Sequence, residues 1–160
     1  MGNERDEELS KLINDKENVN LVSFSDAGAH IQNMAFYNFP LQMLARIKGM
    51  REKGIETLSD EQAIHRLTGQ IADWLRIDAG YIKEGSRADI VLLNMERIDS
   101  SLNSIVKDDF DGIPDFTRLV NRNDGIVKAV LINGKVAVSD DHYHEELGKS
   151  LAYGSFLKAS

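Results

Sequence analysis

Residues 127–138 read VKAVLINGKVAV, and this stretch decides the fold of the C-terminal half of the chain. Two runs rich in valine, leucine and isoleucine flank the dipeptide Asn133-Gly134. Asparagine followed by glycine is a favoured pair for a two-residue hairpin turn, because both turn positions adopt positive φ angles. The stretch therefore predicts two antiparallel strands, over residues 126–132 and 135–138.

A sequence pattern typical of β-strands extends back from this hairpin to residue 78. Short apolar runs at residues 80–82 and 88–93 are separated by glycines and predict further strands. Residues 96–123 are polar, poorly periodic and interrupted by Pro114, which predicts a long irregular excursion between strands.

The first half of the chain is predicted to be largely helical. Residues 4–14 place apolar side chains at helical spacing among charges, as in a short amphipathic helix. Residues 41–53 follow a proline, carry apolar residues on one side and stop at Gly54, the usual residue of a helix C-terminal cap. Residues 59–68 begin with a capping-box pattern and predict another helix, followed by a further turn at 71–75.

Composition restricts the class of protein and its partners. The 160 residues are 42% hydrophobic and 28% charged, which is typical of a globular protein with one ordinary core. A net charge of −7 disfavours nucleic acid as a partner, because phosphate backbones require clustered Lys and Arg. The absence of cysteine excludes disulfides and thiolate zinc ligands. The start of the chain does not look like a signal peptide and no apolar run could cross a bilayer, so we expect no membrane partner and a cytoplasmic location.

A polar hexapeptide, SDAGAH at residues 25–30, follows the apolar run at residues 19–24. The apolar run is typical of a buried parallel strand, and catalytic groups commonly lie just beyond the carboxyl ends of such strands. The Asp26 carboxylate could there bind a metal ion or transfer a proton, and Gly28 would let the loop approach a ligand. In the alternative interpretation Ser25 and Asp26 only cap a turn, and His30 is a packing or surface residue.

Other histidines and aromatic residues have simpler interpretations. His142 and His144 form a His-x-His spacing in the polar region after the hairpin, but two histidines without further ligands seldom form a closed zinc shell. His65 lies within a predicted helix, where a partly exposed histidine is ordinary. Trp74 and Tyr81 are predicted to pack between the helices and the β-type region.

Five separated segments, taken in order, resemble the end of the N-acyl-D-amino-acid deacylases of the amidohydrolase superfamily. The segment GYIKEGSRADIV within residues 79–94 is similar to a pattern widespread in that superfamily, whereas SDAGAH resembles the deacylase branch. The five segments are SDAGAH at 25–30, TLSDEQAIHRLTGQIADWLRI at 57–77, AGYIKEGSRADIVLLN at 79–94, VKAVLINGKVAV at 127–138 and LAYGSFLKA at 151–159.

The resemblance implies an α/β fold in two parts. Residues 1–77 would be the final strand-helix portion of a metal-dependent (β/α)8 barrel, and residues 78–160 would supply the C-terminal strands of a small β-sandwich. Asp26 would be the catalytic acid/base and a zinc ligand, acting with ligands from an N-terminal barrel portion. Ser25, Gly28 and His30 would contact the substrate, an N-acyl amino acid.

Two departures from the family pattern qualify these expectations. Residues 31–39 lack the arginine that some D-aminoacylases use to hold the substrate carboxylate, so D-selectivity is not implied. The other metal ligands of the family lie upstream of the region that this chain matches, so we expect the chain alone to be inactive and to need the N-terminal barrel portion or an oligomer partner. Two alternatives stay open: a non-catalytic assembly module, and a fragment of a dihydroorotase-like or hydantoinase-like cyclic amidohydrolase.

Overall fold

The computed structural model of the chain describes residues 2–15, 32–34, 37–109, 113–121 and 123–159. Contacts divide the chain into two compact units, each built from two separate stretches. Unit 1 comprises Met1–Asp60 and Ile98–Asn123, and unit 2 comprises Glu61–Arg97 and Asp124–Ser160. The division after residue 77 that the resemblance implies stays a prediction.

The described residues form α-helices, short strands and two 3-10 helices at Met95–Arg97 and Ser100–Asn103. In chain order the helices and strands are α1 (Gly2–Asn14), β1 (Asn33–Met34), α2 (Phe39–Glu52), α3 (Asp60–Leu67), α4 (Gly69–Leu75), β2 (Ile90–Leu93), β3 (Val106–Asp109), β4 (Thr117–Val120), β5 (Val127–Ile132), β6 (Lys135–Ser139) and β7 (His142–Tyr143).

Helix α2 organises the core of unit 1. Its apolar side buries Leu44, Ile47 and Met50, each at most 3% exposed, and the helix contacts the 3-10 helix Ser100–Asn103. Proline lies in the first turn of α2, and Gly54 after its end has a φ of +75°. The predicted helices over residues 4–14 and 41–53 are therefore confirmed as α1 and α2, with slightly earlier starts.

The sheet of unit 1 lies where no strand was predicted. Strands β3 and β4 pair antiparallel, and the two residues of β1 pair in parallel with β4. The prediction of an irregular excursion over residues 96–123 is thus wrong for β3 and β4, which are four residues each. Strands this short show too few alternations of apolar and polar residues to stand out from a loop.

Unit 2 contains helices α3 and α4 and a four-stranded antiparallel sheet in the order β2-β5-β6-β7. Asn133 and Gly134 connect β5 to β6 with φ angles of +51° and +76°, so the predicted hairpin is confirmed. The helices predicted over residues 59–68 and 71–75 correspond to α3 and α4. The apolar run at residues 80–82 does not form a strand, although it was predicted to be one.

The fold class implied by the resemblance is wrong. A final strand-helix portion of a (β/α)8 barrel would show parallel strands, each covered by a following helix. In the described ranges the strands pair antiparallel, with the two-residue pairing of β1 and β4 as the exception, and they form two small sheets. The chain is a small α/β fold, and the predicted strand over residues 19–24 lies outside the described residues.

Two glycines of the segment GYIKEGSRADIV have the same backbone conformation and different surroundings. Gly80 has a φ of +78°, and a Cβ placed there would lie 2.8 Å from the backbone carbonyl atoms of Thr68. Gly85 has a φ of +79°, and a Cβ there would meet nothing within 4 Å. The two positions therefore separate the cost of a left-handed backbone from the cost of a backbone clash.

We expect Gly85→Ala to lower the free energy of unfolding by about 1 kcal/mol, the usual penalty of a left-handed conformation for a residue with a Cβ. Gly80→Ala should cost at least about 2 kcal/mol more, because the contact is with backbone that cannot rotate away. Urea unfolding of both variants measures the difference. Equal losses for the two variants would contradict the close approach of Gly80 to Thr68.

Candidate functional site

The four residues predicted to form the catalytic site lie outside the described residues. Ser25, Asp26, Gly28 and His30 all fall within residues 16–31. The described structure begins again at Gln32, whose carbonyl oxygen accepts a hydrogen bond from the Leu119 amide at 2.6 Å. The roles assigned to these four side chains therefore stay predictions.

A buried amide network follows β1 in unit 1. Asn38, 3% exposed, and Asn121, 1% exposed, both donate through Nδ2 to the carbonyl oxygen of Leu102. Gln42 donates to Asn38 Oδ1 at 2.7 Å, and the Tyr37 hydroxyl donates to the backbone oxygen of Asn121. Buried amides are stable when they are hydrogen-bonded. The network thus joins the start of α2, the 3-10 helix of unit 1 and the end of β4.

Sequence reasoning missed this network because its members are ordinary loop residues by type. Asn38 precedes a proline-started helix, where asparagine is expected to cap the helix, but its side chain makes no cap hydrogen bond. Asn121 Oδ1 has no hydrogen-bond partner among the described residues. The side-chain oxygen of Asn121 is therefore available to accept a hydrogen bond.

A groove of about 400 Å³ lies in unit 1 between α1, α2 and residues 98–103. At one wall, Asp6 accepts a hydrogen bond from Lys53 Nζ at 2.6 Å and lies 3.4 Å from Arg46 Nη1. The hydrogen bond from Lys53 and the nearby cations hold the pKa of Asp6 below its ordinary value of 3.8, against the opposing effect of burial. The lining residues are Asp6, Gln42, Ala45, Arg46, Lys48, Gly49, Met50, Glu52, Lys53, Ile98, Asp99, Ser100 and Asn103.

The charges that line the groove balance one another. Three carboxylates, Asp6, Glu52 and Asp99, stand with three cations, Arg46, Lys48 and Lys53. A site for an ionic ligand requires a surplus of opposite charge or convergent unpaired donors. The groove therefore does not by its chemistry select an anionic or a cationic ligand.

A second polar cluster lies in unit 2. The Tyr81 hydroxyl donates to Asp73 Oδ2 at 2.6 Å and lies 3.3 Å from His65 Nε2, while Lys83 Nζ stands 4.3 Å from the centre of the tyrosine ring. The tyrosine fits because Gly69 has no side chain: a Cβ there would lie 2.7 Å from the Tyr81 ring.

The electrostatic environment of Tyr81 indicates a structural role for this side chain. The hydrogen bond to Asp73, with burial and the negative charge of that carboxylate, raises the pKa of Tyr81 above its ordinary value of 10.0. Tyr81 therefore keeps its proton and acts as a donor rather than as a base. The prediction that Trp74 packs between elements is wrong, since it is 66% exposed.

The two histidines of the His-x-His pair at residues 142–144 have no further candidate metal ligands beside them in the described part of the chain. His142 Nδ1 lies 2.6 Å from the Asp140 carbonyl oxygen, and His144 Nδ1 lies 3.3 Å from the Tyr153 hydroxyl. Across the part of the chain that the structure describes, no group of three or more His, Asp or Glu side chains is arranged to hold a metal ion. The described residues by themselves therefore provide no three-ligand metal site, and the zinc site that the resemblance implies, with Asp26 as a ligand, stays a prediction.

Asp89, within the segment GYIKEGSRADIV, supports the hairpin turn of unit 2. Its Oδ1 accepts a hydrogen bond from the Asn133 amide at 2.7 Å, its Oδ2 accepts one from Arg87, and the Gly134 amide donates to the Ala88 carbonyl at 2.8 Å. Burial raises the pKa of Asp89, but the hydrogen bonds from Asn133 and Arg87 lower it more, so it lies below 3.8.

Comparisons with known proteins find relatives that are longer than this chain. Three of them, uncharacterized proteins of Mycobacterium bovis and of two strains of Mycobacterium tuberculosis, are each 35% identical to it over 163 aligned positions. The alignment covers 99% of this chain and 26% of each relative, so the chain spans about a quarter of their length. No protein-family model and no solved structure matches the chain.

We expect Asp89→Asn to lower the free energy of unfolding at pH 7 by up to about 1 kcal/mol, because the charged partner of Arg87 is lost. The folded-state pKa of Asp89 is depressed, so its stabilising contribution is present above pH 4, roughly, and disappears as the pH falls through the folded value. Urea unfolding at pH 7 and at pH 3 measures both effects. Asp78→Asn, at an exposed carboxylate, is the control, and an equal loss there would contradict the role of Asp89.

We expect Asp73→Asn to lower the pKa of Tyr81 towards 10.0, because the acceptor then carries no charge. An NMR titration of the tyrosine ring carbons measures this shift. Asp78→Asn, three residues beyond α4, should leave the titration of Tyr81 unchanged. A Tyr81 titration that is the same in wild type and Asp73→Asn would exclude the hydrogen bond as the cause.

Proposed function

We propose that this chain is part of a metal-dependent amidohydrolase that cleaves the amide bond of N-acyl amino acids, with Asp26 as its catalytic acid/base. The observation that carries the proposal is the ordered resemblance of five segments, led by SDAGAH at residues 25–30, to the N-acyl-D-amino-acid deacylases. A single short motif would be weak support. Separated segments in a common order are stronger, because chance matches do not preserve order.

The length of the relatives supports a role within a larger enzyme. The chain aligns over 99% of its residues with only 26% of each mycobacterial relative. A polypeptide of that greater length has room for metal ligands beyond the region matched by this chain. We accordingly assign the zinc ligands other than Asp26 to that additional polypeptide, since the described residues contain no three-ligand group.

The segment GYIKEGSRADIV also supports the resemblance through its local structure. Gly80 occupies a left-handed position against the Thr68 backbone, and Asp89 caps the turn between β5 and β6. Each residue has a specific structural reason to be of its type. The positions of Gly80 and Asp89 in the segment therefore reflect a defined local structure and not only the overall amino-acid composition.

The chemistry proposed for Asp26 is a balanced proton transfer. Its carboxylate accepts a proton from the water molecule that attacks the acyl carbonyl carbon, so that a carbon-oxygen bond forms. The same proton then passes to the amide nitrogen as the carbon-nitrogen bond breaks, giving a carboxylic acid and an amine, and the acid then transfers its own proton to the amine to leave a carboxylate and an ammonium ion. Ser25, Gly28 and His30 are proposed to contact the substrate around this position.

Location is a secondary part of the proposal. No helix among the residues that the structure describes is long and apolar enough to cross a membrane. We propose a cytoplasmic enzyme acting on a small-molecule substrate.

The test uses a chimera in which this chain replaces the matching quarter of the M. tuberculosis relative, supplied with zinc. Release of free amino acid from a panel of N-acyl-D- and N-acyl-L-amino acids is measured. We expect no turnover by the isolated chain, turnover by the chimera, and a loss of at least about a hundredfold in kcat with Asp26→Asn. Asp78→Asn is the matched control and should leave kcat unchanged.

Three outcomes would contradict the proposal. Turnover by the isolated chain would show that the chain needs no further ligands. Chimera activity that survives Asp26→Asn would exclude that residue as acid/base. A chimera that hydrolyses only cyclic amides would instead favour the dihydroorotase-like or hydantoinase-like alternative.

A further inference from the structure

The two units differ in what they bury. Among the described residues, unit 1 buries large apolar side chains, whereas unit 2 buries three alanines and a single isoleucine. The buried apolar residues of unit 1 are Leu44, Ile47, Met50, Ile98, Leu102 and Val120, and those of unit 2 are Ala63, Ala72, Ile126 and Ala137. Unit 1 therefore forms a core of its own, whereas in unit 2 the large apolar side chains other than Ile126 remain at least partly exposed among the described residues.

The sheet of unit 2 is apolar on both faces. One row of paired residues, Val91, Val130, Val138 and Tyr143, crosses all four strands. On the other face, Ile90, Leu131 and Val136 form a second row across three strands, beside Leu92. Paired residues in neighbouring strands point to the same face, so each row is a continuous apolar band.

Both bands are only partly covered by the described residues. Val91 is 56% exposed and Leu92 57%, although they point to opposite faces, and Tyr143 is 79% exposed. All six residues of the inner strand β5 are partly exposed. Strands that are apolar on both faces are typical of sheets that are buried on both sides.

Strand β2 also lies at an open edge of this sheet. The described residues pair it with β5 on one side only. Its four residues, IVLL, include no proline and no charge, the features that normally protect an edge from pairing with another strand. Such an edge is complementary to an extended apolar segment of another polypeptide.

We propose that β2 and the two apolar bands form the docking surface of unit 2 for the additional polypeptide of a longer protein. An extended apolar segment of that polypeptide pairs with the open edge of β2 and continues both bands. The occupant is sought in the relatives because about three quarters of each lies outside the region that matches this chain, which leaves additional polypeptide to supply such a segment. A second copy of the chain is a poorer occupant, because each copy carries a net charge of −7. The inference rests on the proposed function only in placing the chain within a longer protein.

The test mixes the full chain with the remainder of the M. tuberculosis relative, expressed as a separate polypeptide without the 163 aligned positions. Light scattering measures the assembly, and hydrogen exchange measures protection of the β2 amides. We expect a one-to-one complex in which the outward-facing amides of β2 become protected. Leu92→Lys should weaken the complex at least about tenfold, as charging an interface residue does.

Leu12→Lys is the matched control, since Leu12 has the same 57% exposure but lies on α1 in unit 1. Circular dichroism of both variants confirms that they fold. Equal weakening by the two variants, a complex without protection of β2, or no complex would each overturn the proposal. So would a dimer of the isolated chain that Leu92→Lys dissociates, because the occupant would then be a second copy. None of these measurements requires catalysis, so they stand apart from the outcome of the hydrolysis assay.

Discussion

The left-handed turn at Asn133 and Gly134 is the constraint on which the sheet of unit 2 depends. It pairs Leu131 of β5 with Val136 of β6, and a shift of register between Val130 and Leu131 then places Val130 beside Val138. Asp89 fixes the same turn from outside the hairpin, through its hydrogen bond to the Asn133 amide. Strand β2 begins at the next residue, so this one carboxylate also aligns β2 with β5.

With that register the sheet carries apolar side chains on both faces, so its stability depends on another layer that covers them. A hairpin with added edge strands forms its backbone hydrogen bonds locally, but burial of its faces requires another layer. Unit 1 has such a layer, because α2 and residues near Leu102 cover one another. Unit 2 exposes its largest apolar side chains, and a longer protein would supply the layer that it lacks.

Three polar clusters in the described ranges have structural explanations that do not require a ligand. Asp6 forms ion pairs with two cations, Tyr81 is held protonated by Asp73, and Asn38 and Asn121 share the Leu102 carbonyl oxygen. Chemistry in the proposed enzyme therefore depends on SDAGAH at residues 25–30, and on polypeptide beyond this chain. The candidate site was predicted from a resemblance, because the local pattern by itself favours a turn residue at Asp26.

The sequence by itself determined the elements that depend on neighbouring residues. The helix over residues 41–53, with its proline start and Gly54 cap, and the hairpin at Asn133-Gly134 were both predicted correctly, because their signals span only a few positions. The tertiary structure alone decided the pairing of β1 with β4, the strands within residues 96–123, and the replacement of the expected barrel portion by two small sheets. Those features join residues far apart in the chain, and short strands carry too little periodicity to reveal their partners before the chain is folded.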